Sequence, residues 1–413
     1  MDFHPLHIPY LLRTLTECPH GVLREIDADP RIKKREMAHG LIVATCGPQL
    51  PEPAKPHELL SKGIVYARDP YRVVSLPLVK MYNLGLHQAA TTLHDTLLDE
   101  GAQAVLCEKL DGTMIQIFEH EGEVLLATRG AGEGTQGLTG WSFVEAARAI
   151  LTSHDASALD PRYVYGKTLI CELIHPENRI ITRYGQLTGL VLHAVYVHPD
   201  AEHPWGHYMG FEAMEGLSVH LALPLPERYS GSIEDAIFSV EMKSGLHEGL
   251  VVQLEQNGEV VHRVKVKTQA YVRMHALKFD CSYKRVVETC WNAQLDTWEA
   301  FKTYLLEQGL HEEELMAEYA AHFEAFKVWK IGVTGLKACA GGMLLRWDTL
   351  WGDAPRDHDY FKGLALRCKE AHAELLPVVM DMARGKHVTL HDVACRFEPC
   401  KGFRAMCPPR EDA

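Results

Sequence analysis

Glu108-Lys109-Leu110-Asp111-Gly112-Thr113 sets a lysine, an aspartate and a glycine almost side by side. A lysine amine is a nucleophile only when neutral. At its ordinary pKa of about 10.4, only a few parts in ten thousand are neutral at pH 7. A lysine that does chemistry therefore needs neighbouring cations or desolvation to depress it. By residue frequency alone, Lys-x-Asp-Gly occurs on the order of once in ten chains of this length, and Asp-Gly is an ordinary hairpin dipeptide. The setting sharpens the pattern. A β-like run, Ala104-Val105-Leu106-Cys107, precedes it, and Met114-Ile115-Gln116-Ile117-Phe118 follows. Lys109 is expected at a tight turn between strands, exposed at the lip of a sheet. Further on, Lys265 and Lys267 alternate along a β-like run and so share one face. A phosphate-gripping pair needs that arrangement, although most Lys-x-Lys pairs are solvated strand faces.

With four later pieces, this segment resembles motif I of the covalent nucleotidyltransferases, the superfamily of RNA ligases, DNA ligases and mRNA capping enzymes. Val124-Leu125-Leu126-Ala127-Thr128-Arg129-Gly130 resembles the strand and turn after motif I. Cys171-Glu172-Leu173-Ile174-His175-Pro176-Glu177-Asn178-Arg179-Ile180 is similar to motif III in the form typical of RNA ligases. Glu248-Gly249-Leu250-Val251-Val252 resembles motif IV, and Lys265-Val266-Lys267-Thr268 resembles motif V. Each later piece is common alone. Five in order, over roughly 160 residues and within the spacing one fold allows, are not.

The resemblance implies three phosphoryl-type transfers. Lys109 attacks the α-phosphorus of ATP, giving lysyl-AMP and pyrophosphate; AMP passes to an RNA 5′-phosphate; a 3′-hydroxyl then expels it. Lys265, Lys267 and bound magnesium (manganese being the alternative ion) are expected to depress Lys109 and to neutralise charge in the transition state. Asp111, Glu172 and Glu248 are the carboxylates assigned to ribose contact and to magnesium, directly or through water. Gly112 is expected to let the backbone approach the nucleotide. The implied ATP-binding set is Lys62, Lys80, Glu108, Lys109, Gly112, Arg129, Glu172, Glu248, Lys265 and Lys267, with Lys62 and Lys80 toward the leaving pyrophosphate. Two positions depart from the family pattern: Lys62 stands where an arginine is expected and Arg129 where a lysine is expected. Charge survives at both, but bidentate geometry does not carry over.

These residues need elements to hold them. From about Leu41 to Lys267 short β-like runs alternate with turn residues, including His120-Glu121-Gly122 and Gln256-Asn257-Gly258. Helical interludes fall at Gly85–Leu98 and Trp141–Leu151. Hairpins without regular crossover helices predict an α+β fold with antiparallel sheets rather than a doubly wound sheet. After about Tyr271 the texture turns helical. Asp296-Thr297-Trp298-Glu299 reads as a capping box opening a helix that Gly309 stops. The run His311–Lys330 repeats Leu315, Tyr319, Phe323 and Phe326 at helical spacing. A third pattern covers Tyr360–Ala383, bent or ended by Pro377. The expected organisation is an adenylyltransferase domain at 1–275 and an all-helical C-terminal domain at 276–413 concerned with RNA specificity. DNA ligases and capping enzymes resemble one another in carrying an OB-fold barrel after motif V. A helical domain there, with Leu76-Pro77-Leu78-Val79-Lys80-Met81-Tyr82-Asn83-Leu84 before motif I, instead resembles the first-class RNA ligases of T-even bacteriophages.

Composition is that of a globular chain: 413 residues, 46% hydrophobic and 23% charged. No apolar stretch approaches the roughly 18 residues of a membrane span, and Met1-Asp2-Phe3-His4-Pro5 has no secretory pattern. Eleven cysteines, odd in number, suit free thiols in a reducing, cytoplasmic setting. A net charge of −13 argues against coating nucleic acid but leaves room for a local basic groove. The expected partners are RNA ends, with a nicked tRNA one candidate; no membrane is expected and the chain is expected to be a monomer. A separate end-healing kinase or phosphatase is a further candidate partner, and a P-loop kinase would have to be separate, because the sequence has no Gly-x4-Gly-Lys-Ser/Thr loop. A DNA ligase and a non-catalytic RNA-end binding protein are the alternatives. Gly132-Glu133-Gly134-Thr135-Gln136-Gly137 matches a dinucleotide fingerprint but lacks the βαβ setting that the fingerprint requires. His391, Cys395, Cys400 and Cys407 lack the paired Cys-x2-Cys of strong zinc sites. The 24 histidines, among them His198, His203 and His207, show no helical His-x3-His pattern, and most are expected to be structural.

Overall fold

The computed structural model describes residues 4–47, 50–135, 142–153, 157–178, 181–243, 245–308, 310, 313–352, 355–388 and 393. Gln136, Gly137, Arg179, Ile180, Gly309 and the tail residues His391, Cys395, Cys400 and Cys407 lie outside the described residues. The chain forms two compact units, Met1–Val272 and Arg273–Ala413.

In the first unit the strands are β1 (Ile32–Glu36), β2 (Ile42–Cys46), β3 (Lys62–Arg68), β4 (Tyr71–Ser75), β5 (Tyr82–Asn83), β6 (Gln103–Lys109) and β7 (Thr113–His120). They continue with β8 (Glu123–Thr128), β9 (Lys167–Ile174), β10 (Gly189–Val197), β11 (His207–Tyr208), β12 (Arg228–Tyr229), β13 (Gly249–Gln256) and β14 (Glu259–Lys267). They make three sheets, ordered β1-β2-β3-β4, β11-β10-β9-β7-β8 and β12-β6-β13-β14-β5. Every pairing is antiparallel except β5 with β14. The fold is therefore α+β with antiparallel sheets, as the hairpin pattern predicts. Both expected turns have positive φ at two successive residues: Glu121 and Gly122 join β7 to β8, and Asn257 and Gly258 join β13 to β14. That backbone matches the right-handed twist of the flanking strands.

The second and third sheets share a core. Val105 and Cys107 of β6 pack with Ile115, Ile117, Leu126, Leu169, Cys171 and Leu192. On its other face the third sheet buries Leu106, Leu250, Leu254 and Val264 against Ala90, Leu93 and Leu97 of the helix Gln88–Asp99, and against Ala236 and Val240 of the helix Ile233–Glu241. Each fully buried aliphatic side chain contributes about 1.5–3 kcal/mol, so strand alternation fixes which face of β6 meets which layer. The first sheet is covered by two helices the sequence reading did not anticipate, Ile8–Glu17 and Pro19–Ala28, through Leu11, Leu15, Leu23 and Ile26.

The second unit is helical. Its helices after residue 280 are Tyr283–Asn292, Trp298–Glu307, Glu313–Trp351, His358–His372 and Leu376–Ala383. The capping box read at Asp296 is displaced by one residue. Thr297 is the N-cap, accepting from the Ala300 amide at 3.2 Å, while the Asp296 carboxylate pairs with Lys330. Leu315, Tyr319, Phe323 and Phe326 are buried, and Phe323 stacks on Phe301 with ring centres 5.5 Å apart. The helix that carries them runs on to Trp351, past the expected end at Lys330, through Gly332, Gly335, Gly341 and Gly342. Pro377 sits in the first turn of the last helix, where its missing N–H costs nothing. Among the described residues no helix is long and apolar enough to cross a membrane.

Candidate active site

The turn after Lys109 is not a hairpin. β6 belongs to the third sheet and β7 to the second, so Leu110–Gly112 carries the chain from one sheet to the other. Lys109 is also less exposed than a lip position implies, with its side chain 19% accessible. Leu106 faces the helices and Cys107 the second sheet. By alternation Lys109 points toward the second sheet and Glu108 away from it.

One row across three strands builds the centre. Gly249 of β13 pairs with Lys109 of β6 on one side and with Lys267 of β14 on the other. Glu248 stands at the mouth of β13 and divides its carboxylate between the two flanking lysines. Its Oε2 is 2.7 Å from Lys109 Nζ and its Oε1 is 2.8 Å from Lys267 Nζ. Gly249 makes this reach local: its φ is +142°, and a Cβ there would lie 2.0 Å from the Val266 carbonyl oxygen. No side chain fits.

Glu172 enters from the second sheet, where it pairs with Met114 across β7 and β9. Its Oε1 accepts the Gly112 amide at 3.0 Å. Burial, then the nearby Glu248 and Asp111 charges, outweigh Lys109 and push its pKa up to about 7. Gly112 is crowded by protein, since a Cβ would lie 2.4 Å from the Leu173 carbonyl oxygen. The close approach this glycine allows is to β9.

Asp111 is buried and engaged by the chain itself. Its Oδ2 accepts the amides of Ile181 and Thr182 at 2.7 and 2.8 Å, and its Oδ1 accepts the Tyr271 hydroxyl at 2.7 Å. The Asp111 amide donates to the Tyr184 hydroxyl at 2.9 Å. Asp111 thus fastens the sheet-crossing segment to the backbone that follows β9. Tyr184 and Tyr271 were not legible in the sequence; no spacing marks them, and only the fold brings them to Asp111.

The cations converge. Burial, then Lys267, Lys109 and Lys80, bring Lys265 down to about 8. Burial, then Lys80 and Arg129, bring Lys62 down to about 8 as well. Burial and Arg129 also lower Lys80. Lys62 donates to the Gly47 carbonyl at 2.8 Å, and the Lys80 ammonium lies 5.3 Å from the Tyr82 ring centre. Arg129 is exposed. Three lysines lowered by burial and by neighbouring cations form a site in which an anion is stabilised.

Lys109 itself departs from the expected depression. Burial lowers it, but Glu248 first, with Glu172 and Asp111, raises it above the ordinary lysine value. Without an anionic ligand the neighbouring carboxylates outweigh the neighbouring cations.

Glu108 lies on the opposite face of β6. Its carboxylate takes Lys243 Nζ at 2.7 Å and His247 Nδ1 at 2.9 Å, and Lys243 also reaches Glu227 at 2.6 Å. Lys109, Asp111, Gly112, Glu172, Glu248, Lys265 and Lys267 are thus gathered between two sheets, with Lys62, Lys80 and Arg129 in electrostatic reach and Glu108 behind β6.

No family model matches the sequence. A protein of Thermovibrio ammonificans named "Putative RNA ligase" is 29% identical over 216 residues, 52% of this chain and 52% of the relative. The match spans about half the length of that relative. Among solved structures, an archaeal ATP-dependent RNA ligase aligns with 14% identity and a TM-score of 0.44, over 92% of this chain and all of that one. A Naegleria gruberi RNA ligase with pyrophosphate aligns with 13% identity and a TM-score of 0.35, over 48% of this chain and 57% of that one.

Proposed function

We propose that this chain is an ATP-dependent RNA ligase, joining 5′-phosphate and 3′-hydroxyl RNA ends through lysyl-AMP on Lys109. The observation that carries the reading is the shared carboxylate of Glu248, which holds Lys109 and Lys267 on either side of it at 2.7 and 2.8 Å. A lysine kept charged and aimed into a cation-lined cleft is a nucleophile at rest. ATP entering among Lys62, Lys80, Arg129, Lys265 and Lys267 brings negative charge that these cations can bind. For attack, Lys109 must give up a proton and part from Glu248. Its nitrogen then bonds the α-phosphorus as the bond to pyrophosphate breaks. Lys265 and Lys267 share a strand face and are suited to the charge that gathers on the α-phosphate. The same pair would hold the phosphates of the adenylylated RNA in the later steps.

A divalent cation suits the acidic side of the site. Glu172 carries a raised pKa and accepts one hydrogen bond among the described residues, from Gly112. Magnesium favours one or two carboxylates with phosphate oxygens, so Glu172 and Glu248 would hold it. Bound there, it would neutralise phosphate charge. Asp111, with both oxygens occupied by Ile181, Thr182 and Tyr271, acts as a positioning residue in this reading.

The helical unit would select among RNA ends, single-stranded or within a nicked tRNA, and a separate kinase or phosphatase would prepare them in the cytoplasm. The test is incubation with ATP labelled at the α-phosphate and magnesium, followed by a denaturing gel. Label should appear on the 46.4 kDa chain and be discharged by pyrophosphate or 5′-phosphorylated RNA, but not by nicked DNA. Lys109→Ala should take no label. Its fold should survive at a cost below the roughly 3–5 kcal/mol of a buried charge left unpaired, because Lys267 still pairs Glu248. Covalent AMP on that variant would overturn the assignment.

A further inference from the structure

The first unit holds a second cluster of ligating side chains, at the other end of β14 from Lys267. His203 lies in the loop 198–206, His207 opens β11 and Glu259 opens β14. One ligand atom from each falls within 4.8 Å of the other two. His203 Nε2 stands 3.3 Å from Glu259 Oε1, and His207 Nδ1 stands 4.0 Å from the same oxygen. The two imidazole centres are 4.1 Å apart. His207 Nδ1 is buried and has no hydrogen-bond partner among the described residues. A buried polar atom left so is costly, and a bond to a metal ion would offset that cost.

The geometry suits a single ion. Ligands bonded at 2.0–2.1 Å in a tetrahedron stand roughly 3.3 Å apart, so His203 and Glu259 already have that separation and His207 needs only a small approach. The scaffold is strand rather than free loop. His207 pairs with Val197 of β10, and an isolated bridge joins Met209 to Glu259. Behind His203, Nδ1 faces Asp200 Oδ1 at 3.6 Å. Asp200 is itself fixed by the amides of Glu202 and His203 at 2.9 and 2.6 Å. A carboxylate behind the non-ligating nitrogen is the usual way a metal-bound imidazole is oriented. By contrast Asp29, His57 and Glu58, the other close group, are already occupied by Arg31, which bonds both carboxylates.

We propose that His203, His207 and Glu259 bind a divalent transition-metal ion of the zinc class, pinning the loop 198–206 to the start of β14. Two imidazoles with one carboxylate favour zinc, nickel or copper over magnesium and calcium, which take oxygen ligands. Strand rise puts Glu259 roughly 26 Å from Lys267, so the ion braces the fold and stays out of the chemistry at Lys109. The spacing His203-x3-His207 was present in the sequence; it lay on a loop and a strand end, where a helical pattern does not look.

The test uses untagged full-length protein, stripped with a chelator and titrated with zinc and, separately, with cobalt. Bound metal is counted by mass spectrometry. The expected result is one equivalent with a raised melting temperature, and visible cobalt bands of nitrogen and oxygen ligation without thiolate charge transfer. Magnesium should not displace it. His203→Ala/His207→Ala should lose that equivalent. Glu259→Gln, which keeps the side-chain size, should weaken binding about ten-fold or more, and Asp200→Asn about 10–100-fold. Should the double variant not fold, Glu259→Gln decides the question. No uptake by the wild-type chain, or uptake undiminished in the folded variants, would overturn the proposal.

Discussion

Glu172 and Lys109 are both raised, for different reasons, and the difference has a pH signature. Lys109 is raised by a partner; Glu172 is raised mainly by burial and like charge. A carboxyl whose folded pKa exceeds its unfolded value binds its proton more tightly when folded. Its penalty is present in full above about 7 and fades as pH falls toward the ordinary glutamate range. Glu172→Gln can keep the acceptor for Gly112 and removes the charge. Without ligand, the variant should be more stable than the parent at pH 8 by about 1–3 kcal/mol, with the gap closing near pH 5. Urea unfolding at the two pH values measures it. An unchanged gap would mean that the raised pKa has another origin. The same variant should transfer AMP poorly, so the site trades stability for charge that only a ligand relieves.

At the scale of elements, the mouth of β13 does the positioning. Gly249→Ala would push a methyl group into the Val266 carbonyl and strain a backbone that glycine alone tolerates there. The cost should exceed about 3 kcal/mol, and label transfer should fall because Glu248 leaves its two lysines; urea melts and the α-label assay read both. How much of this was legible varies by element. Strand alternation and the turns at Glu121-Gly122 and Asn257-Gly258 are local, so the antiparallel sheets could be read directly. The row Lys109–Gly249–Lys267 joins residues 140 and 18 positions apart by subtraction of their numbers, so which carboxylate meets which lysine was hidden. The sequence supplied the residue types around Lys109 and misjudged its state, because Lys265 and Lys267 were legible as depressing cations while the stronger hold of Glu248 depended on register. The capping box at Asp296 failed by one residue: Asp and Thr are both favoured N-caps, Asp the better, but the Asp296 carboxylate is drawn to Lys330 and Thr297 caps instead. The long helix Glu313–Trp351 was cut short because its glycines argue against helix locally.

For the whole chain, a net charge of −13 surrounds a cleft where lysines depress one another. Binding of an anion to the folded state alone must then raise stability. Inorganic pyrophosphate at a hundred times its Kd should add about 2.7 kcal/mol to the stability of the first unit, seen as a higher melting temperature. The gain should shrink with added salt and vanish in Lys62→Met/Lys80→Met. A pyrophosphate shift that survived in this double variant would place the anion elsewhere. Lys265→Met alone, without ligand, should melt above the parent at pH 7, since Lys265 is held charged below its folded pKa of about 8 at a cost that methionine avoids, while Lys267 still pairs Glu248.

The crossing at Leu110–Gly112 fastens Lys109 to one sheet and Thr113 to another with no spare chain between them. Loops such as 198–206 can lengthen by a residue and merely bulge. One residue gained or lost at this crossing would turn Lys109 out of the cleft or flip every side chain of β7 to the wrong layer. Here the count of residues matters as much as their kind. Over a lineage, insertions and deletions should be purged from this segment even where individual substitutions are accepted.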